Sequence, residues 1–589
     1  MYRLRRTCPL ALLALSRTYG VRAAKLAAFL TTDTGPFGAR SISRGLLATV
    51  EPPRRTMTSL SATVRPPSTP VCSITFEGDD GAALGPDFAS VLVGKKSTLR
   101  SIVDADDVVS TVGSALGFEV DRSYLSAALD SISGKSGSTS LLVPSGGGDK
   151  PLRRLSLCAL PDEVSRNNHP LSVHAMSDLI SKACPGKGDV RVAIAGASGP
   201  GGSTPVGPLA SAVARAFPLY SRKTADPPKE GKEGGEKTLN VRVAFLDEEG
   251  GAVEDDESVR AAAAAAESVR LAARLVDTPP AELTTEAFAD ECAKVAKELG
   301  DSVTITVIAG DDLRERGYGG LYGVGQAAVC PPRMVIMEYN PAGDEEVPET
   351  VALVGKGIVY DTGGLSLKGK TGMPGMKGDM GGAAGMLGGF VAAVKLGAKQ
   401  KIYLILCLAE NAIGPNAFRN DDILTMYSGK TVEVNNCDAE GRLVLGDGVA
   451  HATKHFEGLD LVVDMATLTG AQLVATGKKH AGALANTAEL EARAVAAGLR
   501  SGNLCFPLLY APELLMPEFK SEVADMKNSV KDRGNAQSSC AGHFIEAHLD
   551  GNYKGGWLHL DMAGPSEASQ RGTGYGVGLV LSLLNVPGF

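Results

Sequence analysis

The sequence has no apolar run long enough to cross a membrane as a helix. Hydrophobic residues make up 44% of its 589 residues, yet no stretch approaches the roughly 20 consecutive apolar residues that such a helix requires. These residues must instead form a buried core, and a chain of this length predicts at least two domains. We therefore expect no membrane partner.

Paired cysteine motifs and a positive net charge are also absent. The ten cysteines are scattered without CxxC spacing. Several lie in apolar segments, such as Cys407 in IYLILCLAE, which is typical of reduced thiols in an intracellular protein. The formal net charge is −8, so we expect no nucleic-acid partner. We therefore predict a cytoplasmic protein.

The first 56 residues differ in composition from the rest of the chain. They hold ten Arg or Lys and only two acids, Asp33 and Glu51. That composition is typical of a transit peptide, so the mitochondrion or another organelle is an alternative location. The first 16 residues also weakly resemble a secretory signal, and a leader without function, with translation starting at Met57, is a further alternative. We assign residues 1–70 to a leader and linker.

Residues 71–250 predict a separate α/β domain. Short strand-like runs alternate with helical segments, and they include SITFEG, TSLLVP, RLSLCAL, VRVAIAG and LNVRVAFLDE. No group of catalytic residues is evident in this domain. The charged, Pro- and Gly-rich segment 222–237 predicts a mobile loop.

Residues 256–589 predict a second, larger domain. It opens with an Ala-rich helix over 257–275, which DTPP ends, and with another helix over 285–299. VTITVIAG and RMVIMEYNP then predict strands. We expect the single tryptophan, Trp557, to lie in a core strand.

The chemistry of the sequence is concentrated between positions 356 and 442. This run contains GKGIVYDTGGLSLK, MPGMKGDMGGAAG and NNCDAEGRL. Its charged residues are the carboxylates Asp361, Asp379, Asp438 and Glu440 and the cations Lys356, Lys368 and Arg442. Each lies beside Gly, Ala or a short apolar strand, and buried carboxylates must be paired or bind metal.

The local pattern predicts how these residues meet. The apolar run 349–357 predicts a buried strand with Lys356 at its end and Asp361 in the following loop. Asp379 precedes a helix of small residues. Residues 430–436 alternate like a strand, and continued extension would place Asp438, Glu440 and Arg442 on one face. Strand ends that deliver acids to one place predict a metal site.

The residues alone leave the metal open. Oxygen ligands suit magnesium, calcium or manganese, and four carboxylates balance the charge of two divalent cations about 3.5–4 Å apart. Lys356 could be a ligand only as a neutral amine, which burial and nearby dications favour. Lys368 and Arg442 would stay charged and face the anion that forms during reaction.

NNCDAEGRL resembles NTDAEGRL, the signature of the leucyl (cytosol) aminopeptidase family of two-zinc metallopeptidases. The spacings between Lys356, Asp361, Lys368, Asp379 and Asp438 are 5, 7, 11 and 59 positions, as expected for that family. The resemblance extends from about residue 258 to the C-terminus. DMATLTGAQ, ADMKNSV, SSCAGHFI, WLHLDMAG and RGTGYGVGL are most similar to the animal "probable aminopeptidase" branch.

The resemblance implies a fold and a set of ligands. The fold is α/β with two domains, a structural N-terminal α/β domain and a C-terminal catalytic domain with a central mixed β-sheet flanked by helices. One metal is assigned to Lys356, Asp361, Asp379 and Glu440, and the other to Asp361, Asp438 and Glu440. Both would be Zn²⁺, with Mn²⁺ or Mg²⁺ as alternatives at one site.

The resemblance also implies substrates and partners. Lys368 and Arg442 would be catalytic, and Arg442 would hold a bicarbonate that relays the proton. Met376, Thr467 and Gly470 would line a pocket for Leu- or Met-like side chains, with core packing as the alternative. A homohexamer with inward-facing sites would admit only short peptides.

Three functions therefore compete. The first is an aminopeptidase that removes N-terminal residues from short peptides by a metal-bridging hydroxide. The second is an inactive scaffold on the same fold, which would require a lost ligand. The third is two-metal phosphoester hydrolysis, which the lysine ligand disfavours.

Two features could be mistaken for metal sites. His451 and His455 have helical metal-ligand spacing, but Ala452 stands where HExxH needs Glu, so we predict packing. Cys437 stands where the family has Thr. We interpret it as an inert small residue, with a soft metal ligand as the alternative.

Overall fold

The first of two large sheets has six strands and belongs to the N-terminal part of the chain. This computed structural model describes residues 72–589 except 79–83, 86, 107, 145–150, 185–187, 200–201, 203, 223–238 and 342–346. The strands of the first sheet are β1 (Cys72–Phe76), β2 (Ala89–Lys95), β3 (Gly137–Pro144), β4 (Leu152–Leu160), β5 (Val190–Ala195) and β6 (Leu239–Leu246). Its helices are α1 (Lys96–Asp104), α2 (Val108–Leu116), α3 (Arg122–Ser131), α4 (Val173–Ala183) and α5 (Val206–Ala216).

The strand order is β1-β6-β5-β2-β4-β3, and every neighbouring pair is parallel except β3 with β4. The five predicted strands are confirmed as β1, β3, β4, β5 and β6. The sequence prediction missed β2, because this strand runs directly into α1 without a turn between Lys95 and Lys96.

The second sheet has eight strands and is mixed, as predicted. Its order is β15-β14-β17-β13-β9-β10-β8-β7, and β9 is parallel to both β13 and β10. Its strands are β7 (Val303–Ala309), β8 (Arg333–Tyr339), β9 (Thr350–Asp361), β10 (Lys401–Asn411), β13 (Leu461–Ala466), β14 (Ala481–Ala485), β15 (Cys505–Pro507) and β17 (Gly556–Asp561). Short pairings outside it involve β11 (Ile423–Thr425), β12 (Thr431–Glu433) and β16 (Met526–Lys527), and β18 (Glu567–Ala568) with β19 (Arg571–Gly572). Trp557 is fully buried in β17, as predicted.

Helices flank both faces of this sheet. They are α6 (Asp256–Asp277), α7 (Thr285–Leu299), α8 (Asp311–Glu315), α9 (Gly319–Gly325), α10 (Gly381–Lys395), α11 (Gly441–His455), α12 (Gly470–Ala475), α13 (Ala488–Ser501), α14 (Pro512–Leu515), α15 (Gln537–Glu546) and α16 (Val577–Leu583). The 3-10 turns are Gly300–Ser302, Met376–Gly378 and Met516–Phe519. The predicted helices are confirmed as α6, α7 and α10. Helix α6 packs against α5 and also against α10, so it contacts helices from both parts of the chain.

Small residues allow α10 to approach the sheet closely. A Cβ on Gly382 would lie 2.1 Å from the carbonyl oxygen of Met465, and one on Gly385 would lie 2.5 Å from that of Tyr575. Only glycine can occupy such close approaches to backbone. The tight packing predicted from GGAAG is therefore confirmed, and it fixes the position of Asp379 just before the helix.

Two local predictions were wrong. Strand β9 continues to Asp361, so Lys356 lies inside the strand and Asp361 is its last residue. The extended chain does not continue from β12 to Arg442, because α11 begins at Gly441. Glu440 and Arg442 therefore reach the site from the start of a helix rather than from a strand.

Some predictions fall on residues outside the described ranges. They are the leader and linker over 1–70 and almost all of the predicted mobile loop over 222–237. The domain bounds stay a prediction. In the described ranges no helix combines the length and apolarity needed to span a membrane, and the nine cysteines in those ranges are free.

Candidate active site

Three buried carboxylates lie at the carboxyl end of β9. Asp361, Asp379 and Glu440 each offer an oxygen, and these three atoms lie within 4.8 Å of one another. In the described part of the chain this is the only such group of His, Cys, Asp or Glu side chains. The site therefore combines the end of a central strand with the residues just before α10 and α11.

Lys356 lies among these carboxylates. Its Nζ is 2.8 Å from both carboxylate oxygens of Asp379 and 3.0 Å from Oε1 of Glu440. It also donates to the carbonyl oxygen of Thr467 at 3.2 Å. Burial would lower the pKa of Lys356, but the neighbouring carboxylates outweigh burial and raise it. The neutral amine predicted for a metal ligand therefore depends on bound cations to offset these negative charges.

Lys368 pairs with the other carboxylates. Its Nζ lies 2.8 Å from Oδ2 of Asp361 and 2.5 Å from Oδ1 of Asp438. Burial would lower the pKa of Lys368, but these acids raise it, so the side chain is a full positive charge. With 17% of its side chain exposed, Lys368 is more accessible than Lys356.

Arg442 is a buried cation with unused donors. Its Nε and Nη1 have no hydrogen-bond partner among the described residues. Burial lowers its pKa to about 10, although Glu440 partly opposes that effect. A guanidinium with two free buried donors suits a planar anion such as a carboxylate or a bicarbonate.

The carboxylates fit divalent cations. Oε2 of Glu440 is buried and has no hydrogen-bond partner among the described residues. Burial raises the pKa of Glu440, and the charge of Asp361 raises it further. Burial also raises the pKa of Asp379, against the effect of Lys356. Buried acids whose ionised forms are disfavoured are stabilised by bound cations, so the donor set suits hard or borderline metal ions.

Two further contacts hold the acids in place: one comes from Asn411, which sequence reasoning missed, and the other from Thr467, which it assigned only to the substrate pocket. Asn411 donates to Oδ1 of Asp361 at 2.9 Å, and the two residues face each other at the ends of β10 and β9. The hydroxyl of Thr467 donates to Oδ1 of Asp379 at 2.8 Å. The polar residue that directly follows the apolar segment IYLILCLAE was a signal that could have identified Asn411.

The three predicted pocket residues lie on two segments near Asp379. Met376 begins the 3-10 turn that leads into Asp379, whose amide donates to the Met376 carbonyl. Thr467 bonds Asp379 directly. Gly470 begins α12, and a Cβ there would meet no atom within 4 Å, so this position borders open space.

The two misleading features have ordinary partners. His451 and His455 bond the hydroxyls of Tyr318 and Tyr427 at 2.8 and 2.6 Å, which supports packing. The Sγ of buried Cys437 lies 3.4 Å from the carbonyl oxygen of Phe418. None of the three joins the carboxylate group.

Known proteins share this sequence and architecture. A model described as the cytosol aminopeptidase family, catalytic domain, matches residues 270–581. Another, the M17 aminopeptidase N-terminal domain 2, matches residues 91–226. A Mus musculus protein named probable aminopeptidase NPEPL1 is 50% identical over 428 residues, which is 73% of this chain and 79% of that protein.

Solved structures agree with these matches. Caenorhabditis elegans leucine aminopeptidase (LAP1) has a TM-score of 0.76 and 37% identity, over 87% of this chain and 98% of that chain. The bottromycin maturation enzyme BotP in complex with Mn has a TM-score of 0.63 and 28% identity, over 84% of this chain and 98% of that chain. The resemblance predicted from the motifs and the α/β fold class are confirmed. Because the catalytic-domain model covers more than half of the sequence, the chain belongs to the cytosol aminopeptidase family and is a metal-dependent aminopeptidase.

Proposed function

We propose that this enzyme removes Leu- or Met-like N-terminal residues from short peptides, using two divalent cations held by the clustered carboxylates. The observation that carries the proposal is the buried group of Asp361, Asp379 and Glu440 with a lysine on each side. Such a constellation is costly to bury, and groups of buried, mutually interacting charges are concentrated at binding and catalytic sites.

The ligands divide between two positions. Lys356, Asp361, Asp379 and Glu440 would hold one cation, and Asp361, Asp438 and Glu440 the other. The unpaired Oε2 of Glu440 supports this division. Zn²⁺ is our assignment for both, with Mn²⁺ or Mg²⁺ as alternatives at one. When bound, the two cations lower the pKa of a water and polarise the scissile carbonyl.

Lys368 and Arg442 would act on charge that develops during reaction. The ammonium of Lys368 is charged and partly exposed, so it can approach the oxygen of a tetrahedral intermediate and stabilise its negative charge. The free donors of Arg442 would hold a bicarbonate that passes the proton between nucleophile and leaving amine. The side chains of Lys368 and Arg442 are already in position before the reaction, so little reorganisation of the protein is needed.

The pocket supports a preference for extended apolar side chains. Met376 and the methyl group of Thr467 provide apolar surface, and the open space beside Gly470 leaves room for a side chain. An N-terminal Leu or Met would fill this space, and its free amine would face the carboxylates. These contacts select the first residue of the peptide.

The assembly and location that we propose follow the family. A homohexamer with inward-facing sites would restrict substrates to short peptides. Sedimentation should show the hexamer at working concentration, and an active monomer would contradict it. We propose a cytoplasmic location, with the mitochondrion or another organelle as the alternative for a chain that retains residues 1–56. N-terminal sequencing of protein from its native cell would distinguish the two.

The activity is tested by comparing substrates. Leucine and methionine anilides should be hydrolysed faster than aspartate or glycine anilides, and a chelator should abolish the reaction. A phosphodiester substrate serves as the control and should not react. Hydrolysis of the phosphodiester, or equal rates for all anilides, would contradict the proposal.

A further inference from the structure

The loop that follows β13 contacts two of the proposed metal ligands. The hydroxyl of Thr467 donates to Asp379 at 2.8 Å, and its carbonyl oxygen accepts from Lys356 at 3.2 Å. A shift of Thr467 would therefore displace both the hydroxyl that bonds Asp379 and the carbonyl oxygen that bonds Lys356. Groups that orient a metal ligand in this way commonly change metal affinity or activity by about 10–100-fold when removed.

The other side of this loop is held by Asp561. This carboxylate accepts from the amide of Leu468 at 3.1 Å and from the amide of Thr469 at 3.3 Å. It also accepts from the hydroxyl of Thr469 at 2.6 Å and from that of Ser538 at 2.7 Å. Asp561 is fully buried, so these four donors, together with the amide of Ala563 at 3.4 Å, replace the water that an exposed carboxylate would bind.

The sheet explains why a carboxylate is needed there. Asp561 is the last residue of β17 and lies opposite Ala466, the last residue of β13. Beyond Ala466 the chain leaves the ladder, so the amides of Leu468 and Thr469 need other acceptors. The buried carboxylate of Asp561 gives them acceptors. The same residue, Thr469, also caps α12 by accepting from the amide of Gln472 at 3.1 Å.

We propose that Asp561 is a positioning residue of the active site, which fixes the loop 467–469 so that Thr467 holds Asp379 and Lys356 in their ligand geometry. This role rests on the proposed function, because it assigns Asp379 and Lys356 to metal. Asp561 touches neither the substrate nor the proposed ligands. Its hydrogen bonds connect it to those ligands through the loop, and its charge also raises the pKa of Arg442 against the effect of burial.

Asp464 provides a matched control. It is equally buried, in β13, and its carboxylate bonds His559 at 2.5 Å and Trp557 at 2.9 Å. Those partners lie on β17, away from the loop. Asp464→Asn should therefore report the cost of changing a buried acid between the same two strands without moving Thr467.

The test compares Asp561→Asn, Thr467→Val, their double variant and Asp464→Asn in the full chain. Metal content after identical dialysis, kcat and KM for leucine anilide, and the melting temperature are measured for each. Asp561→Asn should lower metal retention or kcat by about 10–100-fold, with KM changed less than kcat. In the Thr467→Val background the same change should have a smaller effect, because the hydroxyl contact with Asp379 is already lost and only the carbonyl contact with Lys356 remains. Asp464→Asn should lower the melting temperature while the folded protein keeps its metal and its kcat.

Independent, multiplicative effects of Asp561→Asn and Thr467→Val would overturn the proposal, as would an equal loss of metal and kcat in Asp464→Asn. If Asp561→Asn does not fold, Thr469→Val removes the hydroxyl bond to Asp561 together with the cap of α12. This variant should show the same loss at smaller size, and no loss would overturn the proposal. A wild type that binds metal but does not cleave leucine anilide would contradict the proposed function, while the metal-retention arm would still decide the role of Asp561.

Discussion

An aspartate follows or ends a strand in each of the two large sheets, and the two side chains have different surroundings. Asp247 follows β6 in the first sheet and accepts from the amides of Glu249 and Gly251 at 2.9 and 2.7 Å. Asp361 ends β9 in the second sheet and also accepts from a nearby amide, that of Gly363, at 2.8 Å. Its second oxygen, however, faces Lys368.

The difference lies in the neighbouring elements rather than in the strand. Next to Asp361, β10 ends in Asn411, and α11 begins just after Glu440. Asp247 is partly exposed, and its bonds form a local turn. A strand-end acid thus closes a turn where it stands alone. Where adjacent elements converge, it becomes part of a charged site.

The largest expected effect is on activity, and it should distinguish the acids of the charged site from the acid that only closes a turn. Asp379→Ala and Glu440→Ala should abolish peptidase activity while the protein stays folded, because each removes a proposed metal ligand. Asp247→Ala is the control, and it should keep full activity with a small drop in melting temperature. Activity above a few per cent in either ligand variant with full metal content would show that the acids do not act as ligands.

Replacing each of the two lysines should have a different effect on the enzyme. Lys356→Ala should lower metal occupancy and rate together, since it removes a proposed ligand. Lys368→Ala should keep both metals and nearly normal substrate binding, with kcat lower on the order of 10²–10³-fold, as for loss of one oxyanion donor. For both variants, after identical dialysis, plasma emission measures the metal content and steady-state kinetics measures kcat and KM. Loss of metal from Lys368→Ala but not from Lys356→Ala would reverse the two assignments.

Arg442 should have a smaller effect than the lysines. Arg442→Met keeps a similar volume but removes the free donors, so the rate should fall by about 10²-fold, the lower end of the range for a lost proton-transfer group. The rate of the wild type should rise with added bicarbonate after exhaustive degassing, and that of Arg442→Met should not. An equal bicarbonate response in both proteins would place the anion elsewhere.

The smallest effect is expected at the histidines. His455→Gln should leave kcat and metal content unchanged, because the ring bonds Tyr427 rather than the carboxylate group. A slightly lower melting temperature is the only expected change. If metal content falls in this variant, the packing interpretation of HATKH is wrong.

The sequence alone predicted most of the fold and the identity of the charged cluster. Short apolar runs between clear turns predicted β4, β5 and β6, and a run of small residues predicted α10. The sequence prediction missed β2, which has no turn before α1, and it extended the chain after β12 where a helix begins. Propensity could not place that boundary, because Gly441 and Arg442 fit either conformation.

The long-range contacts within the site could not be predicted from the sequence. Asn411 and Thr467 contact Asp361 and Asp379 across 50 and 88 positions, and no local pattern joins them. The same is true of Asp561, which contacts Leu468 from 93 positions away. These contacts arise from the sheet order, in which β10 and β13 both lie beside β9 and β17 lies beside β13.

The most direct test of the account is a metal titration of the enzyme. Protein stripped with a chelator should be folded and inactive, and leucine-anilide hydrolysis should rise with added Zn²⁺ to a plateau at about two equivalents per chain. Asp379→Ala should not reach that plateau, and Asp247→Ala should follow the wild type. Full activity in the stripped wild type, or a plateau that Asp379→Ala also reaches, would contradict the assignment of the clustered carboxylates to catalytic metal ions.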